Sequence, residues 1–197
     1  MFFPSDTATP AHPAIMDALM AANTGYTSGY GAEDAMASVQ QTIRGLFEAP
    51  NAAVYLVSTG TAANALALAT LTKPWETIFC HRNAHIEEDE CGAPEFFSNG
   101  AKLTLVEGPD AMMTPDSLQA AIDYTARLGV HNVQHGSMSI TNVTEVGTVY
   151  SLDEIRALTK IARAGDVKTH LDGARFANAT LALDCTRADL TLSLIHL

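Results

Sequence analysis

Three short stretches of this sequence carry side chains that could do chemistry. In "HLDGARF", Asp172 and Gly173 end a β-branched and apolar run, and Arg175 stands three residues further on. In isolation such a pair reads as an ion pair or a helix cap. In "CHRNAHIEEDEC", His81 and His85 are four apart, a spacing that puts both on one face of a helix. The residue after the first histidine is Arg82 rather than the Glu of the zinc-protease pattern, and Cys80 and Cys91 lack zinc-ribbon spacing, so no metal site is expected. In "STGTAANALALA", Ser58, Thr59, Gly60 and Thr61 follow the apolar run "AAVYLV" and open a helix of small residues. Such a turn gathers unpaired backbone N–H groups that suit an anion, often a phosphate. It is equally a capped helix start, without the glycine spacing of a dinucleotide fold or the Gly-Lys-Ser/Thr of a P-loop.

The elements that must hold these residues alternate along the chain. Helices are expected from about Pro13 to Ala22, from Glu33 to Phe47 and after Gly60. Strands are expected at "AAVYLV", Thr77–Cys80, Lys102–Val106, Ser137–Asn142 and Val167–Leu171. "TPDSLQAAIDYTAR" opens with Thr114 as N-cap and Pro115 at the first helical position. "SLDEIRALTKIARA" carries a capping box, Ser151 with Glu154, and an apolar stripe at Ile155, Leu158 and Ile161. The alternation predicts an α/β fold, a mainly parallel sheet with flanking helices. Ligands in such sheets bind beyond the carboxyl ends of the strands. The turns at Ser58–Thr61, Cys80–His85, Asn142–Thr144 and Asp172–Arg175 are therefore where a site is expected.

The bulk composition narrows the partners. Eleven Lys plus Arg against 22 Asp plus Glu gives a formal charge of −11, which argues against nucleic acid or an anionic membrane surface. The N-terminal "MFFPSDTATP" has neither a basic nor an apolar leader region, and no apolar run reaches bilayer length. Cys80, Cys91 and Cys185 are odd in number and widely spaced, so they read as reduced thiols of a cytoplasmic protein.

The order of the three stretches says more than any one of them. A phosphate turn, a histidine after the next strand and a strand-end Asp with Arg close behind is the layout of pyridoxal-phosphate enzymes of the aspartate-aminotransferase fold. The chain resembles the low-specificity L-threonine aldolases of the β-eliminating-lyase group. The matching stretches are "PSDTATP", "YGAEDAM", "STGTAANALALATL", "AHIEEDECGAPEFFSNGAKL", "SITNVTEVGTVYSLDEI" and "HLDGARFANA", spread from residue 4 to about residue 180.

The resemblance implies pyridoxal 5'-phosphate as cofactor and a small β-hydroxy-α-amino acid as substrate, cleaved by a retro-aldol reaction to glycine and an aldehyde. Thr59, Gly60 and Thr61 would clamp the cofactor phosphate. Asp172 would face the pyridine nitrogen, and His85 would lie on the ring and handle the proton of the substrate's β-hydroxyl. Arg175, with Ser5 and Tyr30, would bind the substrate. Glu90 and His131 match further family positions, with His135 as the rival to His131 and a surface-loop role equally open for His131. A β-lyase or decarboxylase of the same fold is the competing chemistry. Self-association into a homo-oligomer is also implied.

The chain departs from the family pattern in one respect. The family's covalent lysine lies well after "DGARFANA", whereas the four lysines here, Lys73, Lys102, Lys160 and Lys168, all precede Asp172. The expected organisation is an N-terminal arm and helix over residues 1–30 and an incomplete large domain over 31–197. The reaction is then impaired, or the chain is a non-catalytic fragment that holds the cofactor phosphate weakly or pairs with a full-length homologue.

Overall fold

The computed structural model describes residues 8–194. Helix α1 spans Pro13–Ala22 and α2 spans Asp34–Leu46. The chain divides into two compact units within α2, between Ile43 and Arg44. In the first unit, α1 starts where the His12 ring accepts the Ala14 N–H at 3.2 Å, with Pro13 at the first helical position. Its apolar side chains Ile15, Met16, Leu19 and Met20 are all exposed.

The second unit runs α3 (Gly60–Leu71), β1 (Glu76–His81), α4 (His85–Glu88), α5 (Ala93–Phe97), β2 (Lys102–Val106), α6 (Pro115–Arg127), β3 (Gln134–Thr141), α7 (Leu152–Ala164), β4 (Lys168–Asp172), α8 (Phe176–Ala182) and α9 (Arg187–Leu192). The four strands form one parallel sheet in the order β2-β1-β3-β4. Register places Phe79 beside Thr104 and Met138, and Thr141 beside Asp172. The order reverses between β1 and β3, and such a switch point opens a crevice at the carboxyl edge.

Each strand side has a different partner. On one side Phe79, Met138 and Ile140 pack with Leu118 and Ile122 of α6 and with Ile155 and Leu158 of α7. Both helices begin as their sequences dictate. Thr114 Oγ1 accepts the Ser117 N–H, and Ser151 and Glu154 form the reciprocal capping box. The other side is covered by α3. Over β1 the contact is apolar, Leu68 with Ile78 and Cys80. Over β3 and β4 it is polar, and the buried hydroxyls are paired: Thr72 Oγ1 with Ser137 Oγ at 2.7 Å, and Ser139 Oγ with His170 Nδ1 at 2.9 Å. Asn64, Leu68 and Thr72, spaced by fours, are the α3 side's residues that meet this surface.

One expected strand does not form. "AAVYLV" (residues 52–57) pairs with none of the described strands, and Tyr55, Leu56 and Val57 are exposed at 84%, 63% and 44%. An apolar β-branched run fits a pleated, half-buried surface, yet it becomes a strand only when a neighbour takes its hydrogen bonds. The outer edges of β2 and β4 carry no partner strand among the described residues, and this run is hydrogen-bonded along neither.

Candidate active site

The loops after β1, β3 and β4 emerge at the carboxyl edge of the sheet because the strands are parallel, and α3, tied to the end of β4 through Asn64 and Asp172, carries the Ser58–Thr61 turn beside them. Thr59 is the N-cap of α3, its Oγ1 accepting the Ala62 N–H at 3.1 Å and its carbonyl the Ala63 N–H at 3.1 Å. Gly60 and Thr61, the first two residues of the helix, keep N–H groups that no helical carbonyl can reach. A Cβ built on Gly60 would meet no atom within 4 Å, so the space in front of these donors is open.

One turn further along α3, Asn64 is buried and faces the end of β4. Its Nδ2 donates to Asp172 Oδ2 at 2.9 Å and to Glu90 Oε1 at 2.8 Å. Asp172, itself buried, takes a second donor on Oδ1, the Ala174 N–H at 3.0 Å. Glu90 Oε1 also meets His85 Nδ1 at 2.9 Å, while Glu90 Oε2 is buried with no partner among the described residues. The His85 backbone N–H donates to Glu145 Oε1 at 3.1 Å, which ties the loop after β1 to the loop after β3 across the switch point. Arg175, half-buried, donates from Nη1 to the Val143 carbonyl at 3.3 Å. Thus the helix start, Asn64, Glu90, His85 and Asp172 form one connected cluster, with Arg175 close behind β4.

Other expected residues fall elsewhere. His131 sits exposed in the 3₁₀ turn Gly129–His131, which leads into the amino end of β3, so it is at the opposite edge of the sheet from His85 and Asp172. Its rival His135 is early in β3, held by Thr125 Oγ1 at 3.0 Å and by the Gly165 carbonyl at 2.9 Å, and is likewise at that far edge. A parallel strand separates its two ends by its whole length, and both histidines precede it or begin it. The structure therefore does not bring His131 to the cluster. His81, the other histidine of the "CHRNAH" stretch, is turned to the Gly108 carbonyl and the Asn83 N–H. Tyr30 belongs to the first unit, exposed, with a left-handed φ of 64°. Ser5 lies outside the described residues.

Asn64 and Glu145 were not among the residues expected from the sequence. Asn64 had a signal: an amide within an otherwise small and apolar helix, four residues after its first glycine, has to face a polar partner if it is buried. Glu145 had none, since its contact is to a backbone N–H in a different loop.

The comparisons with known proteins fit this geometry. Residues 3–194 match the family described as beta-eliminating lyase. The chain belongs to the beta-eliminating lyase family. Low specificity L-threonine aldolases from a Pseudomonas species and from Pseudomonas aeruginosa are each 39% identical over 96% of this chain and 54% of their own length. A solved threonine aldolase from Leishmania major superposes with a TM-score of 0.86 at 30% identity, over 93% of this chain and 53% of that one. The chain spans about half the length of the curated relatives it matches. The fold is thus the large-domain arrangement of that lyase family, with the sheet and helices expected from the alternating pattern.

The family depends on pyridoxal 5'-phosphate. The residues present fit non-covalent holding of such a group. Open N–H donors at the α3 start suit a phosphate, and a buried carboxylate with lone pairs to spare suits a protonated ring nitrogen. They do not fit covalent holding, because all four lysines lie away from the carboxyl edge. Lys73 precedes β1 and pairs with Glu76 at 3.6 Å, Lys102 and Lys168 begin β2 and β4, and Lys160 lies in the second half of α7, which returns toward the strand starts.

Proposed function

We propose that this chain supplies the phosphate- and ring-binding half of a pyridoxal-phosphate lyase that cleaves β-hydroxy-α-amino acids of the L-threonine and L-allo-threonine class to glycine and an aldehyde. The observation that carries the reading is the bond from Asn64 to Asp172 at 2.9 Å. It sets the carboxylate beside α3 one turn, about 5.4 Å of helix, from the open N–H groups of Gly60 and Thr61.

Bound pyridoxal phosphate supplies an electron sink for the charge released at the substrate Cα. The residues of this chain hold that group and the substrate. Thr59, Gly60 and Thr61 hold the phosphate through backbone and hydroxyl donors. Asp172 keeps the ring nitrogen protonated, since a nearby negative charge favours the cationic form, and burial strengthens the effect. His85, its Nδ1 engaged by Glu90, presents Nε2 to take the proton of the β-hydroxyl. Arg175 binds the α-carboxylate with its planar fork, oriented from behind by the Val143 carbonyl.

The placement of the lysines favours a second reading of how the chain works. These residues on their own hold the cofactor without a covalent bond, and catalysis needs a lysine other than the four among them. The exposed apolar side chains of α1 support self-association, and the three unpaired cysteines support a reducing, cytoplasmic setting.

Glycine release from L-threonine, L-allo-threonine and a β-aryl serine, measured with added cofactor, tests the chemistry. Borohydride treatment followed by mass mapping tests the second reading. We expect cofactor binding by the purified chain and no borohydride-fixed adduct on any of its four lysines. A trapped adduct on one of them overturns the second reading. No cofactor binding at all overturns the first.

A further inference from the structure

We propose that Asn64 is a positioning residue that orients Asp172 toward the cofactor ring nitrogen and locks it to the Glu90–His85 pair, an inference that rests on the cofactor placement above. A primary amide nitrogen has two N–H donors. Both of Asn64's are used on carboxylates from separate parts of the chain, Glu90 Oε1 at 2.8 Å and Asp172 Oδ2 at 2.9 Å. The three residues are 5%, 3% and 8% exposed, so the contacts are made away from water.

The identity of the bridging group matters as much as its position. Two buried carboxylates held near one another repel, and something between them has to donate to both. A lysine or arginine would do so and would also neutralise the charge that Asp172 directs at a pyridinium. An amide donates without carrying charge. It satisfies Oδ2, the Ala174 N–H satisfies Oδ1, and the carboxylate keeps its full negative charge and further lone pairs for a third donor. The same amide fixes Glu90 Oε1, which holds His85 Nδ1 at 2.9 Å. The acid that faces the ring nitrogen and the imidazole that lies on the ring are therefore held as one unit by a side chain that touches neither cofactor nor substrate.

The test compares affinities for two probes, pyridoxal phosphate and its carbocyclic analogue with C–H in place of the ring nitrogen, measured by calorimetry on the chain and its variants. A charge-assisted hydrogen bond to the ring N–H gives the unaltered chain about a tenfold or greater preference for pyridoxal phosphate. Asp172→Asn should abolish that preference. Asn64→Ala should reduce it by at least about threefold while affinity for the analogue changes much less. A role confined to packing would weaken both probes equally and leave the ratio unchanged, and that result overturns the inference. If Asn64→Ala does not fold, Asn64→Leu, of similar shape but without N–H donors or charge, carries the test with the same two outcomes. If the unaltered chain shows no preference, or Asp172→Asn keeps it, the cofactor placement itself is wrong. If Asp172→Asn loses the preference and the Asn64 variants keep it, only the role of Asn64 is wrong.

Discussion

Gly60→Ala separates what α3 needs to fold from what it needs to bind. Gly60 is the first residue of the helix, and its φ is not among the positive values found elsewhere in the chain. A Cβ there meets no protein atom within 4 Å. The substitution therefore has no steric cost in the folded chain and removes backbone freedom from the unfolded one. Stability should stay level or rise, by a few tenths to about 1 kcal/mol. Binding should respond in the opposite direction. Each Cα–Cβ bond in a helix tilts toward the helix N-terminus, so the new methyl points into the space before the Gly60 and Thr61 N–H groups. An anion accepting from those groups at ordinary hydrogen-bond distance has to move away or lose one of them. Loss of one charge-assisted hydrogen bond is worth about 1.5–3 kcal/mol, which is about a tenfold or greater fall in affinity for pyridoxal phosphate. A thermal melt and a calorimetric titration on the same samples read both quantities, and pyridoxal, which lacks the phosphate, serves as the control that should bind alike to both proteins. Unchanged affinity for pyridoxal phosphate in a folded Gly60→Ala chain, or an equal loss for pyridoxal, would refute the assignment of α3 as the phosphate end.

Stability should fall on acidification because of His170. Burial lowers its pKa from 6.5 to about 4, with Asp172 opposing in part, so between those values the unfolded chain binds the extra proton and the folded chain does not. Stability is thus retained above about pH 6.5 and lost as pH falls toward 4, by about 3 kcal/mol in all; denaturant melts across that range should show a smaller fall for His170→Asn, which lacks the titrating group, than for the unaltered chain. Leu158→Ala removes a fully buried side chain from the packing between α7 and the sheet and should cost about 2–5 kcal/mol in a urea melt, with cofactor affinity kept while the chain is folded. Thiol labelling should distinguish the cysteines by access. Cys91 is exposed and should react first, whereas Cys80 is fully buried with its thiol pKa pushed up by that burial, and should react only on unfolding.

Much of the fold was legible locally. Helix starts follow from groups a few residues apart, as at Thr114 with Ser117 and Ser151 with Glu154, and such caps act through backbone donors the sequence places within reach. The strands Lys102–Val106 and Lys168–Asp172 were legible for a related reason, since each is a short run of suitable side chains between helical patterns. The exception, "AAVYLV", has the same local character and is no strand, because pairing is supplied by a neighbour and not by the run itself.

The site divides in the same way. Residue types and their order along the chain pointed to the turns at Ser58–Thr61, Cys80–His85 and Asp172–Arg175, because a parallel sheet sends successive loops to one edge, whereas Glu90 came only from the family resemblance. Which residues meet at that edge was decided by register and by the seating of α3. The sheet carries His131 to the wrong end of β3, and the helix carries Asn64 between two carboxylates 26 and 108 residues away in sequence. No spacing rule links such residues. A local pattern fixes the direction in which a side chain leaves its own helix or strand, while the group it meets there depends on how separate elements pack.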